Sequence, residues 1–547
     1  MKNKIKFQFL ISCFTCLSAF AQSGKLKTYT HKSSAPYEEE KPYSGMFLGR
    51  SSSTTFYKGN EFMTCDIQNE DIIIKKFNAE KLSLVKEKKY NKFFAKNFVL
   101  MGNLEINNKF FVFYSSYDGD AKKEQVFSTE IDFNKGEFAS SPKLLFQVDK
   151  GILPSNSFSF YFNLTESFDK KYIAINYRKV QEKNKGDKNA KDIIGIKEFD
   201  ENLKQVFASE INMSYSEKEV DCGNYILNNN GDFYWLAKVY HDDSHNDKKK
   251  SKDIIANFHF EIFSIKSGAK TINTTKVEDK NNTINVLNLF TTPKDFILCA
   301  GTYSNGSSDI MDTDGYVGFK INADGTFSDK VYSEFTIELL KQYTTEKEQK
   351  NIDKPRTKGE SNGLLRVALQ DSHVSENGDL VFIGEQKYSV TNTYSPATSM
   401  SLYSDRTMYF DKDIIISKVK TDGNVVWTKR IPKNELSVPT CSYAYSKENN
   451  YFIFVDDIHN IDLPLNKKPG VAYGGHDEFM SIVKVSDSDG TVSKGAIFDN
   501  EEFKNYDVKK YMVYYKDPFK ISENEIVFKI HKTKGESGDV MVKVKLD

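Results

Sequence analysis

Cysteine, histidine, tryptophan and any excess of charge are scarce in this 547-residue chain. Each scarcity closes off a class of function. Basic and acidic residues balance at 76 each, so nothing in the composition draws a nucleic acid. Beyond residue 17 no stretch approaches the ~18 consecutive apolar residues of a membrane span. Cys65, Cys222, Cys299 and Cys441 lie far apart, each inside an apolar run. They read as small buried side chains, with neither a metal site nor a disulfide framework implied. Catalytic signatures are missing as well: there is no G-x-S-x-G, no H-E-x-x-H and no G-x-x-x-x-G-K-[ST]. No cofactor is implied, and carboxylate pairs assembled from distant segments leave no spacing to read.

What is present begins with Lys2, Lys4 and Lys6, an apolar run from Phe7 to Leu17, and Ala19-Phe20-Ala21. That is the order of a secretory signal peptide, so residues 1–21 are expected to be removed and residues 22–547 exported, to the periplasm or beyond. A competing reading, a lipoprotein anchored at Cys13 after Leu10-Ile11-Ser12, leaves about six apolar residues where roughly 7 to 15 are expected. Loss of 1–21 leaves 73 basic residues against 76 acidic. The mature chain exceeds the roughly 250–300 residues at which single cores stop growing, unless the fold is a repeat or a closed ring.

Repeats supply that exception. Aromatic-rich runs begin at Gly59, Asn108, Lys170, Gly231, Lys294, Gly378, Asn449 and Glu523. Each is followed, after a variable loop, by a second run beginning at Glu70, Glu124, Lys191, Phe258, Asp314, Asp413, Glu478 and Gly538. Inside the second runs, turns such as Ala323-Asp324-Gly325, Thr421-Asp422-Gly423 and Ser488-Asp489-Gly490 carry the hairpin signal. A further apolar stretch precedes all but the first unit. The chain is therefore all-β, with four short antiparallel strands per unit. Eight such units in series predict a single eight-bladed β-propeller over residues 22–547. A seven-bladed ring with one mis-split unit and a pair of sandwiches are the alternatives. The last unit ends with its third strand's outer edge unpaired, and Leu26 to Thr30 is the expected N-terminal strand that closes the ring.

The units resemble bacterial secreted β-propeller repeats reading G-x-x-(loop)-D-(x)-apolar-K-x-x-x-D-G-x-x-x-W. Gly384, Asp413, Lys418, Asp422, Gly423 and Trp427 match this pattern, and Gly301, Asp314, Gly315, Lys320, Asp324, Gly325 and Phe327 match it next. The resemblance implies the fold and an envelope location; such proteins are mostly binding or scaffolding modules.

At about 66 residues per unit, against ~40–45 for a minimal blade, the surplus must enter loops. Alternating strand direction gathers the links between strands two and three, and between blades, on one face. Long loops on a rigid ring are where binding concentrates. Lys387 to Phe410 carries Tyr388, Tyr394, Tyr403, Tyr409 and Phe410 among Ser and Thr, a composition suited to a sugar or a partner surface. Its alternative is packing of the loop onto the ring. Asp457 to Glu478 brings His459, Tyr473 and His476 beside Gly474-Gly475, with a plain flexible loop as the alternative. His241 to Asp247 holds metal-ligand residue types but reads as a solvated acidic turn. Asp309, Asp312 and Asp314 fail the EF-hand spacing. The expectation is an exported, monomeric, non-enzymatic propeller binding a protein or glycan, with no metal. The alternative is a polysaccharide hydrolase or lyase with carboxylates near the ring axis.

Overall fold

The computed structural model describes residues 27–547 apart from 37–50, 69, 150–151, 154–160, 181–186, 188, 249–255, 295, 306–309, 311, 355–362, 366, 395–403, 437–440, 465–466, 473–477 and 508–517. The expected signal segment and Cys13 therefore lie outside the described residues. Eight antiparallel blades follow one another along the chain; the first seven run from first strand to fourth in sequence order, and the eighth takes its fourth strand from the N-terminal segment. Blade 1, for example, comprises Ser51–Lys58, Glu61–Gln68, Asp71–Asn78 and Ser83–Asn91. Its first strand, SSSTTFYK, carries little apolar signal and was absent from the repeat read in the sequence.

Ring closure is visible in the cores. Each of the eight buried clusters joins two successive blades. The last, Phe62, Phe77, Ala79 and Leu82 with Ile521, Val527 and Met541, joins blade 8 to blade 1. Burial on both faces accounts for unalternating runs such as Ile414-Ile415-Ile416: Ile415 enters the core between blades 5 and 6, and its two neighbours enter that between blades 6 and 7.

The chain's N-terminal segment does close the ring, in a different register from the one expected. His31–Ser33, instead of Leu26 to Thr30, pairs antiparallel with the last strand, setting His31 opposite Val544 and Ser33 opposite Val542. Lys27–Thr28 instead joins blade 7, parallel to Val492–Phe498. Tyr29 sits between the two attachments, its N–H donating to Ala496 O at 2.9 Å and its ring buried in the core shared by blades 7 and 8. A short strap is thus divided between two sheets, a division that period-two patterning cannot reveal.

The repeated residues are joints. Lys76, Lys266 and Lys418, at or just after the ends of third strands, donate to backbone carbonyls in the next blade's turn, at Asn134, Ala323 and Asp487. Gly423 adopts φ +88°, and a Cβ there would lie 2.8 Å from Gly318 O of blade 5, so the turn requires glycine twice over. The acid of the repeat pattern is buried as Asp192, Asp314, Asp413, Glu478 and Asp539. Asp314 accepts from Asn305 N–H at 2.9 Å across the mouth of its own link, and Asp539 meets His531 Nδ1 at 2.6 Å.

Candidate binding face

Blade 6 departs from its neighbours. Its second and third strands, Leu380–Tyr394 and Ser404–Val419, are 15 and 16 residues long. The inner strand accompanies them only as far as Gln386, paired with Val367, and the fourth only to Ile414, paired with Ile431. Past a register shift between Glu385 and Lys387, the pair continues from Lys387 opposite Asp411 to Tyr394 opposite Ser404, with the short strand Glu435–Leu436 still beside the third strand at Asp411 and Phe410. Eight residues at ~3.3 Å each form an arm of roughly 26 Å on the long-link face. The segment read as a loop is therefore a hairpin, in which Tyr388 pairs with Phe410 and Ser389 with Tyr409. Tyr403 lies outside the described residues, as do Tyr473 and His476. Phe410 is half-buried, with Lys412 Nζ 5.0 Å from its ring centre.

A two-stranded ribbon is marginal by itself, so its stability must come from the root. Lys433, wholly buried just past the fourth strand, pairs with Glu385 at 2.7 Å and with Glu435, while its N–H donates to Asp413 Oδ1 at 3.1 Å. Burial by itself would lower the Lys433 pKa; the Glu435 and Glu385 carboxylates outweigh it and hold the ammonium well above the ordinary range. Lys387 bridges Glu385 at 3.0 Å and Asp411 at 3.2 Å. These charges lie on three separate stretches, which they bind together. Sequence reading passed over Lys433, Glu385 and Glu435; the available signal was charge abutting the end of an apolar strand, as in VFIGEQK and DKDIII.

Blade 7's link knits onto this root. Ala472 N–H donates to Asn434 O at 3.0 Å, and Asn434 Nδ2 donates to Pro469 O at 3.1 Å. Within the described part of Asp457 to Glu478, buried Asn460 organises the chain: its Nδ2 donates to Asp456 Oδ1 at 2.7 Å, and its Oδ1 accepts from Gly470 N–H at 2.8 Å. That part is an ordered, internally bonded loop. His459 is exposed at its rim, with Nδ1 2.7 Å from Asp457 Oδ1.

Asp413 extends the root in the other direction. It accepts from Arg430 Nε at 2.7 Å, and Arg430 Nη1 donates to the Leu339 and Leu340 carbonyls of the helix Ile337–Lys341. That helix lies in the link between blades 5 and 6 and borders a cleft of about 420 Å³ against Thr428, Lys429 and Arg430.

Acids whose protons are held too tightly are scattered. Burial raises Glu124 and Asp192 on the long-link face, Asp192 to about 6 against the pull of Arg178. Burial also raises Glu166 and Glu198 near the opposite ends of their strands, Glu198 to about 7 with Asp232 adding to the effect. In the run from His241 to Asp247, Asn257 Nδ2 donates to Asp242 Oδ1 at 2.8 Å and to Asn246 O at 3.2 Å, and Lys238 pairs with Asp247. The turn is closed upon itself.

The sequence matches no protein-family model and no curated protein. Similar solved structures include an oligogalacturonate lyase in complex with manganese, at 9% identity over 82% of this chain and 96% of that one, TM-score 0.33. A Synechocystis apocarotenoid oxygenase is similar at 9% over 70% and 72%, TM-score 0.30. A Pyrococcus horikoshii acylaminoacyl peptidase is similar at 11% over 89% and 58%, TM-score 0.35. Likeness at this level carries no argument about activity; the eight blades rest on the chain's own sheets.

Proposed function

We propose that this chain is an exported, non-enzymatic propeller that binds a protein or glycan through its long-link face, with the blade 6 arm as the principal contact. The observation that carries the reading is the arm itself: a tyrosine-bearing hairpin continued past both flanking strands and rooted on a buried ion network. A ribbon can add a strand at its edge, and the sequence of this one is rich in tyrosine, a residue suited to stacking on sugars and to partner surfaces. The scatter of the raised acids over both faces weighs for binding and against a hydrolase or lyase acting near the axis. Replacing Tyr394, Tyr403 and Tyr409 together with alanine is expected to abolish capture of the envelope partner or array glycan that the native protein retains, while the melting curve stays in place. Unchanged affinity overturns the reading. Export rests on the Lys2, Lys4 and Lys6 segment and its small-residue end. Mass spectrometry of the mature protein is expected to find Gln22 first, and a diacylated Cys13 refutes that cleavage.

A further inference from the structure

His241 and His245 stand four residues apart in one turn, yet the fold separates them. His245 stacks on Tyr240, with ring centres 4.8 Å apart, and reaches Asp221 Oδ1 at 3.3 Å. His241, just after the second strand of blade 4, instead meets His259 on the third strand: Nε2 of the first lies 3.2 Å from Nδ1 of the second. Behind His259, its Nε2 faces Glu261 Oε1 at 3.1 Å, and Tyr215 OH of blade 3 donates to the same oxygen at 2.9 Å. His241 is exposed, His259 is mostly covered and Glu261 is buried.

We propose that His241 and His259 form an open chelate for a divalent transition-metal ion such as Zn²⁺ or Cu²⁺. Imidazole nitrogen suits these ions. Two Zn–N bonds of about 2.0–2.1 Å at a tetrahedral angle separate their nitrogens by roughly 3.3 Å, close to the spacing found here. Glu261 supplies the second, independent feature. A carboxylate accepting the Nε2–H of His259 leaves Nδ1 as the lone-pair nitrogen aimed at His241, which is the outer-shell arrangement that orients metal-bound histidines. Tyr215 holds that carboxylate in turn. Among the described residues no third histidine, cysteine or carboxylate completes a cluster, so the remaining positions on the ion are open to water or to an incoming ligand's oxygen.

The test uses the mature protein. Calorimetric titration with Zn²⁺ is expected to give one site, weakened at least tenfold by His241→Ala and by His259→Ala. It is expected to be unchanged by His245→Ala and weakened about tenfold by Glu261→Gln. Because strand variants can misfold, Cu²⁺ bound to the unaltered protein is read separately by electron paramagnetic resonance, with coupling to two imidazole nitrogens expected. No saturable binding at millimolar Zn²⁺, binding indifferent to His241→Ala, or a single coupled nitrogen each overturns the assignment.

Discussion

Lys418 of blade 6 and Asp487 of blade 7 are joined twice, Lys418 Nζ donating to the Asp487 carboxylate at 2.6 Å and to its backbone carbonyl at 3.2 Å. Trp427 Nε1 donates to that same carbonyl at 3.1 Å, so two residues of the repeat pattern converge on one turn of the following blade. Lys418→Met is expected to cost about 1–3 kcal/mol in urea unfolding, because the largely buried Asp487 carboxylate loses its cationic partner. Trp427→Phe keeps most of the ring but leaves the indole's share unmade, and about 1 kcal/mol is expected. Stability unchanged in both variants removes the joint from the account of blade docking.

The strap closing the ring makes a second prediction. Tyr29 is 3% exposed in the core between blades 7 and 8. Tyr29→Ala is expected to lose roughly 3–5 kcal/mol. Deleting residues 22–33 is expected to lower the melting temperature by many degrees and expose the Gly538–Lys545 edge to association. A monomer that melts normally after the deletion refutes closure by the strap.

The hairpin root makes a third. Lys433→Met takes the buried ammonium away from Glu435 and leaves Glu385 with Lys387, and a loss of about 3–5 kcal/mol is expected. Adding Glu385→Gln and Glu435→Gln is expected to restore part of it. Hydrogen exchange at 387–394 and 404–411 is expected to rise in Lys433→Met before the rest of blade 6 loosens.

A fourth concerns pH. Burial and Asp232 raise Glu198 from 4.5 to about 7, and burial raises Asp192 from 3.8 to about 6. The folded state holds both protons more tightly than the unfolded chain. Their contribution to stability is therefore fully present below about pH 4 and is lost as pH rises through 6 to 7. Glu198 Oε1 has no hydrogen-bond partner among the described residues. Glu198→Gln is expected to stabilise the protein at pH 8 by roughly 1–3 kcal/mol and to flatten the melting temperature between pH 8 and pH 5.5. A variant less stable than the parent at pH 8 refutes the sign.

Sequence by itself determined the eight-unit β architecture, the four-stranded blades and the face that receives the long links. Those features follow from local chemistry: Asp-Gly turns, Val, Ile and aromatic runs, and a chain that reverses at every link. The tertiary structure alone decided what the variable segments do. Lys387 to Phe410 lacks the apolar runs of the repeat, and its described parts, Lys387 to Tyr394 and Ser404 to Phe410, continue as a ladder because the strands below them are already paired and the root charges Glu385, Lys387, Asp411 and Lys433 find one another. His259 reads as one polar residue in an apolar strand, and its meeting with His241 depends on blade 4 pairing Val239 with His259. The strap followed the same rule. Lys27 to Ser33 carries little periodic signal, and only the unpaired edges of blades 7 and 8 assigned it a register.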